Sequence, residues 1–335
     1  ANIDESRIIT TSSQLIGPVD VPSYGYLRSL LILVTTTGGS GGGAVGDPDA
    51  PYNALQEVAL HDVNGAPIVG PFNGYDLFLA NKWGGYAAFD DPALHPAFVP
   101  VNATTGQFGF LLRVPVEVNN RDALGALPNM NASSTYKLRL TLAPSTEIYD
   151  TPPATTLPTV RVRVWAECWA PPSASNDLGQ PQAIQPPALG TTQMWSRNIT
   201  NITAGANTVQ FKRVGNMIRT LVLVHRTAAG LRLDANLPDP VQFFIDGRLL
   251  TNEGFFVRRG YMRERYGVPT AGIDTGVYVF DFMHDFDGRA GGELRDGWLQ
   301  TATSTRLEIV GSFLAGGRLD VLTNDVAPVG NVYLD

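Results

Sequence analysis

Tyr26-Leu-Arg-Ser-Leu-Leu-Ile-Leu-Val34 and, far downstream, Met217-Ile-Arg-Thr-Leu-Val-Leu-Val224 are two versions of one segment. Each opens on large apolar residues, places an arginine (Arg28, Arg219) and then a hydroxyl residue, and closes on an aliphatic run. The runs Leu30–Val34 and Leu221–Val224 are apolar on both faces, short, and rich in branched side chains. That pattern predicts central strands covered on both sides.

Further landmarks repeat in the same order. Val58-Ala-Leu-His-Asp-Val-Asn64-Gly65 answers Val241-Gln-Phe-Phe-Ile-Asp246-Gly247. Asn-Gly and Asp-Gly suit tight hairpins, where the chain must adopt positive φ. Each hairpin leads into an aromatic-rich stretch read as a short helix, Tyr75–Trp83 and Phe255–Tyr266. Ser134-Thr135 then matches Ser304-Thr305, and the last strands finish at Ala170-Pro171 and Ala327-Pro328. The separation between partners shrinks steadily along the chain. The sequence therefore reads as a duplicated unit whose second copy has shorter loops.

Between the copies, residues 171–190 hold five prolines and no strand pattern. Proline fixes φ and cannot donate to a ladder, so this stretch reads as a semi-extended linker between a first domain, 1–170, and a second, 191–335. Elsewhere period-two alternation dominates. In Tyr136-Lys-Leu-Arg-Leu-Thr-Leu142 the leucines share one face; Val160–Val164, Arg306–Ile309 and Arg318–Val321 behave alike. A third short helix is predicted near Glu293–Leu299. The fold class is all-β: two tandem eight-stranded jelly rolls with a few short helices in loops. Paired immunoglobulin-like sandwiches fit less well, because those units run nearer ~100 residues and carry a Cys…Trp…Cys spacing that this chain lacks.

Composition narrows the function. The chain has 335 residues and 44% apolar content, enough for real cores, with only 16% charged residues against roughly 25% in an average soluble domain. Much of its surface is therefore expected to be neutral or covered by partners. A net charge of −7 argues against sequence-independent nucleic-acid binding, which needs a basic field to displace counterions. The single cysteine, Cys168, excludes an internal disulfide and any cysteine cluster for a metal. No apolar run approaches the ~20 residues of a membrane-spanning helix. Ala1–Arg7 lacks a basic segment and an apolar core, so a cytoplasmic product without a secretory signal is expected.

Each catalytic motif lacks a part. Gly38–Gly46 formally contains G-x-G-x-x-G at Gly41, Gly43 and Gly46, but Asp47-Pro48-Asp49-Ala50-Pro51 follows where a phosphate-binding helix would begin. The four histidines, His61, His95, His225 and His284, are scattered, without the H-x-H pair that a two-barrel metalloenzyme needs. The acidic stretch Asp281–Gly288 lacks the full calcium-loop spacing and reads as a strand end running into a polar turn. No metal, cofactor or catalytic residue is expected. The basic concentration Arg258-Arg-Gly-Tyr-Met-Arg263-Glu-Arg265-Tyr266 is small for a nucleic-acid patch. Arginine and tyrosine are enriched at interfaces, so Arg258, Arg259, Tyr261, Arg263 and Arg265 are candidates for a subunit contact.

Two jelly rolls in tandem, joined by a proline-rich linker, resemble the double jelly-roll major capsid proteins of tailless, membrane-containing double-stranded DNA phages, the tectivirus-like lineage. The likeness is carried by the paired Arg28 and Arg219 strands, the Phe244-Ile-Asp246-Gly-Arg-Leu-Leu250 hairpin, the Phe256–Tyr266 segment, and Ser304–Gly311 with Arg318–Thr323. It spans nearly the whole chain as an architecture and rests on no invariant motif. The resemblance implies a structural protein with no enzymatic activity, forming pseudo-hexagonal homotrimers that tile an icosahedral shell over an internal membrane. It further implies assembly in the host cytoplasm, minor capsid, penton or spike proteins as partners, and no specific nucleic acid. Gly38–Gly46 and residues 84–107 are then candidate tower or contact loops. Ala1–Arg7, short and acidic, is not expected to grip the membrane strongly. The alternative is a tandem jelly-roll carbohydrate-binding protein or glycan-processing enzyme, with an aromatic groove and an acid–base carboxylate pair.

Overall fold

A computed structural model describes residues 3–87, 91–118, 123–171, 173–181, 192–267, 274–283 and 297–327. Two compact units result: residues up to Gly74 with Val99–Gln193, and Tyr75–Phe98 with the described chain from Met194 onward.

The first unit is built from β1 (Ile3–Ile8), β2 (Gln14–Asp20), β3 (Tyr26–Ser40), β4 (Val45–Gly46), β5 (Leu55–His61), β6 (Pro67–Phe72), β7 (Gly109–Pro115), β8 (Leu127–Pro128), β9 (Lys137–Leu142), β10 (Tyr149–Thr151) and β11 (Thr156–Trp169). Helix α1 (Gly74–Trp83) follows β6 in the chain but from Tyr75 onward belongs to the second unit; α2 (Ser145–Ile148) is a single turn of the first. With the short β4, β8 and β10 set aside, eight strands form two antiparallel arrays, β1-β11-β3-β7 and β2-β9-β5-β6. Ranked along the chain, the strands run first-eighth-third-sixth and second-seventh-fourth-fifth. This is the strand order of a jelly roll.

The second unit contains β12 (Gln193–Ile202), β13 (Gly205–Phe211), β14 (Met217–Thr227), β15 (Val241–Ile245), β16 (Arg248–Glu253), helix α3 (Phe255–Tyr266), β17 (Val277–Asp281), β18 (Leu299–Gln300), β19 (Leu307–Phe313) and β20 (Gly317–Val326). Its arrays are β12-β20-β14-β17 and β13-β19-β15-β16, which reproduce both rank orders of the first unit. Even the minor pairing recurs, because β8 pairs with Tyr26–Leu27 and β18 with Met217–Ile218. The chain is a double jelly roll, and the duplicated strand carrying Arg28 and Arg219 is the third strand in each copy.

Alternation explains the burial. Leu138, Leu140 and Leu142 on β9 and Val160, Val162 and Val164 on β11 are buried, whereas Lys137, Arg139 and Arg161 reach solvent. In the second unit Leu221, Leu223, Phe243, Phe280, Leu307, Ile309, Leu319 and Val321 form one core. The two third strands differ. Leu31 and Leu33 of β3 are only half-buried, whereas β14 is buried from Ile218 to Arg226.

The hairpins differ as well. Asp246 and Gly247 both take positive φ (48° and 78°), a tight two-residue turn. In the first copy only Gly65 does so, and the Asp62 carboxylate accepts hydrogen bonds from the Asn64 and Ala66 amides around a wider turn. The glycine stretch begins no helix. β3 runs on to Ser40, and a Cβ on Gly39 would lie 2.0 Å from the Thr105 carbonyl oxygen. Of the third predicted helix, 293–296 lie outside the described residues and Leu299 belongs to β18. Residues 172 and 182–190 of the linker also lie outside the described residues, as do 284–288 of the acidic stretch.

Candidate subunit-contact surface

Helices α1 and α3 occupy the same place in the duplicated order, directly after the fifth strand. Helix α1 is apolar on nearly every side and is buried throughout. A helix without a polar stripe is stable only when it is covered all round. Its ionised residues therefore need partners inside the protein. Asp76 is fully buried; its Oδ2 accepts from Arg197 at 2.7 Å, and its Oδ1 lies 3.8 Å from Arg226. Arg226 also binds Asp320 at 2.5 Å, and Arg318 reaches the same carboxylate at 2.9 Å. Burial raises the Asp76 carboxyl above its ordinary value, and the Arg226 and Arg197 guanidiniums oppose that rise.

Helix α3 is different. Gly254 precedes it, the Asp239 carboxylate accepts from the Phe255 amide at 3.0 Å, and Gly267 closes it in the left-handed conformation. These features cap both ends. Phe255, Met262 and Tyr266 face inward, and the Tyr266 hydroxyl donates to the Trp83 carbonyl oxygen at 2.9 Å.

The arginines singled out in the sequence fasten this helix to its own unit. Arg258 donates from Nε to the Val279 carbonyl oxygen at 2.9 Å and pairs with Glu253 at 3.3 Å. Arg259 pairs with Asp234 and donates to the Asp274 carbonyl oxygen. Arg265 meets Asp281 at 3.0 Å and the Tyr261 hydroxyl at 3.3 Å. Arg263 is half-buried and lines a shallow hollow with Trp83, Met262 and Asp274. Burial pushes the Asp281 carboxyl up, opposed first by Arg265.

What α3 leaves open is largely apolar. Phe256 is 77% exposed and Val257 71%, with Gly260, Tyr261 and Glu264 on the same outer side. On the preceding edge strand β16, Leu249 and Leu250 are exposed as well. Of the five sequence candidates, only Tyr261 is exposed; the arginines lie half-buried behind this surface. Sequence reasoning missed Phe256 and Val257 because a Phe-Phe-Val start reads as core until the inward residues are fixed by packing.

The remaining sequence candidates are not brought together. His61 lies on β5, His225 is buried on β14, and His95 follows a short 3-10 turn. Among the described residues no three histidine, cysteine or carboxylate side chains gather as a metal site. Cys168 is half-buried on β11, where burial raises its thiol. None of the helices in the described residues is long and apolar enough to cross a membrane.

No protein-family model matches the chain, and no curated protein matches it in sequence. Solved structures match over nearly full length. The chain is similar to the STIV MCP, from Sulfolobus turreted icosahedral virus, at a TM-score of 0.62 and 12% identity, covering 99% of this chain and 98% of that one. It is also similar to the major capsid protein P2 of bacteriophage PM2, at a TM-score of 0.54 and 12% identity with 97% of both chains covered. The PBCV-1 virus capsid gives 0.58 and 13%, covering 97% and 93%. At these identities the likeness lies in the fold, and the chain shares the double jelly-roll fold of these viral capsid proteins.

Proposed function

We propose that this chain is a structural building block of a viral capsid, the major subunit of its shell. One observation carries the reading: two jelly rolls of identical strand order lie in one chain, and capsid proteins match that arrangement from end to end. In this reading three copies associate into a pseudo-hexagonal trimer, and trimers tile an icosahedral shell over an internal membrane, with assembly in the host cytoplasm. The shell would meet minor capsid, penton or spike proteins at its special positions. The role is one of shape and contact, not of turnover.

The open face of α3 supports self-association. Aromatic and aliphatic side chains with high exposure gain about 25 cal/mol per Å² when a neighbour covers them. Phe256, Val257 and Tyr261 are the anchors of this contact, and the arginines behind them hold the helix in place for it. The acidic net charge leaves contact with the genome to other components. Electron microscopy of the purified protein, before and after raising its concentration, tests the reading. Three-fold particles with a six-lobed outline, or shells made from them, are the expected images. Dispersed single chains at every concentration would contradict it.

A further inference from the structure

Lysine is among the residues least often found fully buried, and this chain has three: Lys82, Lys137 and Lys212. Lys82, in the last turn of α1, is nonetheless buried, with its side chain 2% exposed. Its Nζ lies 2.5 Å from Asp91 Oδ2 and 3.1 Å from Asp274 Oδ2, and both carboxylates are themselves buried. Aromatic rings stand close by, Phe78 at 5.4 Å and Trp83 at 5.3 Å from the nitrogen. All of these residues belong to the second unit. We propose that Lys82 and Asp91 become joined by a spontaneous intramolecular amide bond, with Asp274 as the carboxyl group that moves the protons.

Each part of that reaction has a residue in place. Two carboxylates around one buried ammonium cannot both stay ionised at low cost, because a charge taken out of water needs a partner. Burial raises the Asp274 carboxyl; Lys82 opposes the rise and the neighbouring Asp91 charge adds to it. Asp274 Oδ2, 3.1 Å from the same Nζ that faces Asp91 Oδ2, is placed to take a proton from the attacking amine and pass it to the departing oxygen. The Asp91 carboxyl is held from both ends. Its Oδ2 faces Lys82, and its Oδ1 accepts the Ala93 amide hydrogen at 2.9 Å. That amide is placed to stabilise the negative oxygen of a tetrahedral intermediate. The Trp83 indole N–H donates to Asp274 Oδ2 at 3.2 Å and fixes the third group. Reactants fixed at this distance react with a very large effective concentration.

The step balances without any oxidant or co-reactant. The Lys82 nitrogen lone pair forms a bond to Asp91 Cγ, and the Cγ–Oδ2 bond breaks. Two of the three ammonium protons leave with Oδ2 as one water molecule, relayed by Asp274, which returns to its starting protonation state. The third stays on the amide nitrogen. An ammonium and a carboxylate thus become a neutral amide, and two buried charges disappear.

The test is the intact mass of the full-length protein, denatured and reduced. The expected value is one water molecule below the sequence mass, and chymotryptic digestion should yield a branched peptide joining Lys82 to Asp91. Lys82→Arg should restore the full mass. Asp274→Asn should also restore it, with a cooperative unfolding transition showing that the variant is folded. Asp91→Asn should lose ammonia in place of water. A wild-type protein at its full sequence mass would overturn the proposal. So would a water loss mapped to the Asp246-Gly247 turn, and a branch at Asp274 would overturn the assignment of the two carboxylates.

Discussion

Helices α1 and α3 are counterparts in a duplicated chain, and their surroundings are opposite. α1 is closed in on every side and carries a buried aspartate and a buried lysine. α3 is closed on one side by Phe255, Met262 and Tyr266 and open on the other through Phe256 and Val257. Duplication kept the strand order and let the connection after the fifth strand diverge. One copy of that connection became internal structure. The other became a surface with exposed apolar side chains.

The largest test of this contrast is removal of Asp76. Asp76→Ala leaves Arg226 and Arg197 with one fewer buried carboxylate, and losses of about 3–5 kcal/mol are typical when one partner of a buried pair is removed. Urea unfolding should show it directly. Glu264→Ala, on the exposed side of α3, should stay within about 0.5 kcal/mol of wild type. Equal losses at the two sites would break the comparison.

Next comes Phe256→Asp. If the outer face of α3 is a contact between copies, a charge at a central anchor costs about 2 kcal/mol or more of association and nothing comparable in folding. Sedimentation should show smaller species with an unchanged unfolding midpoint. A fall in the midpoint with association intact would assign Phe256 to the core and end the contact argument.

The closed side also predicts a pH response. His225 on β14 is fully buried, beside Phe313 at 5.7 Å, and neither ring nitrogen makes a hydrogen bond of ordinary geometry. Burial pushes the imidazole below its ordinary value of 6.5. The unfolded chain therefore takes up this proton first as pH falls, so stability is lost from about pH 6.5 downward. Asp76 and Asp281, raised by burial, act in the opposite sense at lower pH. The comparison is thus between wild type and His225→Phe, whose midpoint should fall less between pH 7.5 and pH 5.5. Parallel curves would remove His225 from the account.

Much of this was legible in the sequence. The Arg28 and Arg219 strands, the Asn-Gly and Asp-Gly hairpins and the helix at Phe255–Tyr266 fell out of periodicity and turn chemistry, because those signals are local. The polar interior did not. Arg318-Leu-Asp-Val321 alternates as a half-exposed strand should, yet Asp320 is fully buried and held by Arg226 and Arg318. A period-two pattern tells which residues share a face but not whether another element covers it. The arginines of α3 show the same limit. They read as candidates for a subunit contact because their partners Asp234, Glu253 and Asp281 come from other elements. A lysine inside the apolar run Tyr75–Trp83 was the one local hint of the Lys82 cluster.

The smallest effect concerns two glycines. Gly260 sits inside α3 with open space around an added Cβ, so Gly260→Ala should stabilise the chain by about 0.5–1 kcal/mol through helix propensity. Gly84 closes α1, where a Cβ would lie 2.4 Å from the Ala80 carbonyl oxygen and 2.8 Å from Trp195. Gly84→Ala should destabilise in the same thermal melt, and the same sign at both positions would contradict the assigned surroundings.

The central claim, that this chain is a self-assembling shell subunit, is tested most directly by its absolute mass in solution. Light scattering coupled to size exclusion should return three times 36.0 kDa, or larger particles made from that species. A single stable species at 36.0 kDa, unchanged on concentration, would contradict it.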